Sequence, residues 1–67
     1  MESLSQKAIL EAILFASGTP LSVQKLAEII ETPEWSVQEL LTALESSLRE
    51  RGSGISLRRS AGGYQLV

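Results

Sequence analysis

Sixty-seven residues without a cysteine make one small domain that no disulfide braces, and a domain this short buries only about 60% of its unfolded surface. Six Lys and Arg against eight acidic residues leave a formal net charge of −2 at pH 7, which opposes general affinity for nucleic acid or an anionic membrane. His, Cys and Asp are all absent, which excludes a Ser-His-Asp triad and the usual zinc ligands.

Ser3-Leu4-Ser5-Gln6 reads as a capping box, with the Ser3 hydroxyl and the Gln6 side chain satisfying each other's backbone N–H groups. It predicts a first helix near residues 4–17. Gly18 suits a left-handed C-terminal cap, and Pro20 blocks continuation. The apolar run from Ala8 to Ala16 is broken by Glu11 and has no basic flank. It reads as part of this helix, not as a secretory leader or a membrane span.

Ser22 is the predicted N-cap of a second helix near 22–31, with Leu21 and Leu26 spaced as a hydrophobic staple. Pro33 ends it by disfavouring the α conformation at Thr32. The third helix, near 35–51, has two candidate starts. Thr32 caps with Pro33 at the first helical position, or Ser36 caps with Glu39 while Trp35 staples onto Leu40. Val37, Leu40, Leu41, Leu44 and Leu48 fall on one arc of about 100°, the width of a core-facing stripe.

After Gly52 and Gly54, Ile55-Ser56-Leu57-Arg58-Arg59 reads as a strand. Gly62-Gly63 reads as a two-residue turn in which both glycines can take positive φ. A hairpin over 55–59 and 64–67 follows. Three helices closed by one hairpin is the order of a winged helix, a small α+β fold. Strand character persists through Gln65-Leu66-Val67, as in a domain cut from a longer chain.

Function then divides between reading DNA and assembling proteins. In a DNA reader the third helix lies in the major groove beside phosphates. Here residues Glu34–Arg51 carry four glutamates against two arginines, and the face opposite the core stripe shows Glu39, Thr42, Ala43, Ser46 and Glu50. Carboxylates there are repelled by phosphate. Arg58 and Arg59 on the wing are the candidates for weak phosphate contact, although two solvated arginines beside a turn need no ligand.

The first helix has apolar surface to spare. Ala8, Ile9, Ala12, Ile13, Phe15 and Ala16 supply one broad core face, and Leu10 and Leu14 then stand away from it, one turn apart. They are candidates for a protein interface. The competing reading wraps the core further round the helix to cover them. Trp35 and Tyr64 are further candidate anchors, though a staple role for Trp35 and core packing for Tyr64 explain both. The glutamates are spaced singly along helices, and neither glycine cluster has a phosphate-loop context. No catalytic set, metal site or cofactor is expected.

The segment AILEAILFASGTPLS (residues 8–22), the Leu26-Ala27-Glu28-Ile29-Ile30 stretch and the AGGYQL hairpin (61–66) together resemble the N-terminal domain of segregation and condensation protein B. The resemblance implies that residues 1–67 form one winged-helix domain of a two-domain bacterial protein. It implies a non-enzymatic subunit that works with a kleisin, ScpA, and an SMC ATPase in chromosome condensation and partition. A homodimer, a cytoplasmic location with nucleoid association through the complex, and no sequence-specific nucleic acid or membrane contact are implied too. The alternative is a winged-helix transcription regulator with an unusually acidic DNA-facing surface.

Overall fold

The computed structural model describes residues 5–67. The predicted Ser3 cap lies outside them, and Ser5 holds the N-cap position. Its φ and ψ are −66° and 155°, and its Oγ accepts from the Ala8 N–H at 3.1 Å. α1 therefore runs Gln6–Ser17 and ends on Gly18 at φ 70°, the left-handed cap the sequence offers. The capping box predicted between Ser3 and Gln6 likewise lies outside the described residues, and the Gln6 Nε2 donates to Thr32 Oγ1 at 2.7 Å.

Ser22 caps α2, Val23–Ile30, by accepting from the Lys25 N–H at 3.1 Å. The helix closes on Glu31 in the left-handed region, φ 52° and ψ 52°. The next residue, Thr32, is buried and donates its N–H to the Ala27 carbonyl at 3.0 Å. α3 spans Glu34–Glu50 with Pro33 at the N-cap position and no side-chain cap. Ser36 is thus inside the first turn, and Trp35 is 67% exposed. The Ser36 cap and the Trp35 staple both fall, because Pro33 already supplies the extended residue that starts the helix.

The wing is β1, Leu57–Ser60, antiparallel to β2, Gly63–Leu66. Ser60 pairs with Gly63, so the two-residue turn is Ala61-Gly62 and not Gly62-Gly63. Gly63 has φ 127° whereas Gly62 is not at positive φ. The reason lies across the sheet. Tyr64 exchanges two backbone hydrogen bonds with Leu21, at 2.7 and 2.8 Å, and β2 passes so close to residue 21 that position 63 has no space for a side chain. Leu21, between α1 and α2, is a one-residue third strand.

Leu10, Leu14, Leu26, Val37, Leu41, Leu44 and Leu48 form the buried core, with Ile13, Leu21, Leu40, Leu57, Tyr64 and Leu66 half-buried against it. The α3 stripe is the one predicted. Tyr64 takes the predicted packing role.

Candidate interaction surfaces

Leu10 and Leu14 are 0% and 2% exposed and lie at the centre of the core. They are not free for a partner. Of the expected core face of α1, Ile13 does pack against the core, but the leucines take its centre, and size is the physical reason. Two leucines one turn apart fill the space against α2 and α3, whereas alanines there would leave voids that close packing does not tolerate.

The surplus apolar surface exists on the opposite side. At about 100° per residue the direction away from Leu10 and Leu14 is occupied by Ala8, Ala12, Phe15 and Ala16. Ala12, Phe15 and Ala16 are exposed, Phe15 by 71%, and Ala8 and Ile9 are half-buried beside them. The charge flanking this face, Glu11, is engaged by Arg51 Nη2 at 3.4 Å. A small-residue surface around one phenylalanine lets another backbone approach closely. Side-chain volume was the signal that would have picked it out, since leucine outranks alanine for the core.

Arg58 and Arg59 both lie on β1 and both are exposed. Neighbours on a strand point to opposite faces, so the two guanidiniums do not converge on one phosphate. Arg59 is on the helix-facing side with Leu57 and Tyr64, where it lines a hollow of about 250 Å³ with Leu41, Thr42 and Glu45. A second hollow of about 270 Å³ continues from it along α3, lined by Glu45, Leu48, Arg49, Ile55 and Leu57 among others. Together they make a groove between α3 and β1. Arg58 is on the outer, solvent side with Gln65.

The outer face of α3 carries Glu39 and Glu50, exposed with Thr42, Ala43 and Ser46, while Glu45 is turned toward the groove. Among the described residues no group of His, Cys, Asp or Glu is arranged to hold a metal ion, and no helix is long and apolar enough to cross a membrane.

Residues 8–67 match the family model of the segregation and condensation complex subunit ScpB. The chain belongs to the ScpB family. It is 38% identical over 61 residues to segregation and condensation protein B of Symbiobacterium thermophilum, covering 91% of this chain and 28% of that protein. It is 38% identical over 66 residues to the Syntrophotalea carbinolica protein, covering 98% of this chain and 34% of that one. The chain thus spans about a third of the length of these ScpB relatives.

Among solved structures, ScpB of Mycobacterium tuberculosis superposes with a TM-score of 0.86 at 32% identity, covering 98% of this chain and 43% of that one. A dimer of the ScpB N-terminal domain complexed with an ScpA peptide superposes with a TM-score of 0.85 at 34% identity, covering 91% of this chain and 76% of that one. The winged-helix reading of the fold holds against both.

Proposed function

We propose that this chain is a non-enzymatic assembly domain of an SMC–kleisin complex that condenses and segregates the bacterial chromosome. It acts as the N-terminal winged-helix domain of a longer, two-domain subunit. It pairs with a second copy of itself and engages the kleisin ScpA, which joins it to the SMC ATPase. Its place is the cytoplasm, at the nucleoid through the complex. The outward apolar face of α1 carries this reading: Phe15 at 71% exposure among Ala12 and Ala16 is surface that a solitary domain gains nothing by exposing. A two-fold contact there uses the same patch on both copies, so each residue counts twice. Support comes from the related N-terminal domain that crystallised as a dimer with an ScpA peptide.

The transcription-regulator alternative is weaker, because the outer face of α3 carries carboxylates where DNA presents phosphate.

Sedimentation equilibrium tests the pairing. The chain should sediment as a dimer, and Phe15→Glu with Ala12→Glu should give a folded monomer, since glutamate sustains a helix and neither position is buried. A monomeric parent, or a dimer that survives both substitutions, overturns the α1 contact. Co-purification with the full-length kleisin tests the assembly role itself.

A further inference from the structure

The wing carries backbone groups that nothing in the described chain uses. Ser56 and Val67 exchange two hydrogen bonds, N–H to carbonyl, both 2.9 Å. In an antiparallel ladder such pairs alternate with pairs that exchange none. In the observed register, Leu57↔Leu66, Arg58↔Gln65, Arg59↔Tyr64 and Ser60↔Gly63, the bonded positions of β1 are therefore Arg58 and Ser60. The Tyr64–Leu21 bonds fix the same phase from the other side, because Tyr64 directs its N–H and carbonyl away from β1. The N–H and C=O groups of Leu57 and Arg59 hence point outward along the free edge. Among the described residues no strand pairs with that edge.

Beneath the edge runs the groove against α3. Ile55 and Leu48 are at one end, Glu45 in the middle, and Arg59 with Thr42 at the other. Among the described residues Arg59 has no ion-pair partner, in contrast to Arg51. Unpaired strand edges are templates for another strand, and an extended peptide gains affinity from main-chain bonds and specificity from alternate side chains.

We infer that an extended segment of the kleisin partner docks as an added strand on the outer edge of β1. This rests on the assembly reading above and names its contact surface. Residues paired with Leu57 and Arg59 share their face of the sheet, so alternate side chains of the segment enter the groove. An aliphatic side chain is required opposite Leu57, beside Leu48 and Ile55, where the Glu45 carboxylate repels acid. A carboxylate is required opposite Arg59. The recognition pattern is therefore one aliphatic and one acidic residue separated by a single position.

The experiment titrates the isotope-labelled chain with full-length kleisin and with overlapping synthetic peptides that span it, followed by NMR and amide exchange. The amides of Leu57 and Arg59 should gain protection on binding, whereas Arg58 and Ser60, already bonded to β2, should not. Arg59→Pro removes an outward N–H without removing a β1–β2 bond, and should weaken binding about tenfold. Arg59→Glu, which keeps the backbone donor, should weaken it as well. Arg58→Glu, on the opposite face, should stay within about twofold of the parent.

Perturbation confined to the helices, full affinity in Arg59→Glu, or binding of the intact kleisin but of no peptide would each remove the edge site and leave the assembly role standing. A kleisin that binds in no form overturns the assembly role and this inference together.

Discussion

The backbone of Gly63 faces that of Leu21 so closely that a Cβ built at position 63 would lie 2.1 Å from the Leu21 carbonyl oxygen. With φ at 127° the position is also one that L side chains avoid. Gly63→Ala is expected to break the Leu21–Tyr64 bridge and to lose about 3 kcal/mol or more in urea unfolding. Gly62→Ala is the control. Its Cβ would meet Pro20 Cβ at 3.4 Å, and its stability should stay within about 0.5 kcal/mol of the parent.

Leu10→Ala should cost about 2–5 kcal/mol, the usual range for a leucine truncated in a packed core. Leu10→Glu combined with Leu14→Glu should leave the chain unfolded by circular dichroism, because both side chains are enclosed and two unpartnered carboxylates there are not tolerated. A folded double variant would contradict the core described above.

Thr32 joins three segments through one hydroxyl, which accepts from Gln6 Nε2 at 2.7 Å and donates to the Ile30 carbonyl at 3.1 Å. Thr32→Val keeps the volume and deletes both bonds, for an expected loss of about 1–2 kcal/mol. Gln6→Ala should lose less, since Gln6 is exposed. The double variant should fall short of the sum, because the two residues share one bond. Thermal melts of the four proteins in that cycle give the coupling.

Glu31 holds a left-handed conformation, φ 52°, that disfavours any side chain by about 1–2 kcal/mol. Glu31→Gly should raise the urea midpoint by up to about 1 kcal/mol of stability, with the slope unchanged. An unchanged or lower midpoint would mean that the Glu31 side chain compensates its backbone.

DNA binding should be weak, with a dissociation constant above about 10⁻⁵ M at physiological salt. Because Arg58 and Arg59 face opposite sides of the wing, substituting one should lower the salt dependence by at most about one phosphate contact. A specific site bound at about 10⁻⁸ M would restore the regulator reading.

The helices and the order of elements were legible because capping residues and 3.6-residue periodicity are local signals. Ser22, Gly18 and the α3 leucines act as their spacing predicts. Two of the features that were not legible failed for different reasons. The inward side of α1 turned on which of two apolar faces packs better against α2 and α3, a volume comparison that a count of apolar positions does not make. The phase of β1, and with it which of Arg58 and Arg59 faces the helices, depends on packing of the hairpin against the helices and on a pairing with β2, whose Tyr64 is in turn bonded to Leu21. No window around residue 58 contains Leu21.

That distant pairing also orders events in time. A hairpin of two four-residue strands is marginal alone in water, and this one is anchored where Tyr64 bonds Leu21, two residues ahead of α2. On a ribosome the helices emerge first and wait with one side of their core uncovered, until almost the whole length of these 67 residues has left the tunnel. The wing is made after all three helices, and the core they share with Leu57, Tyr64 and Leu66 is not covered until it arrives.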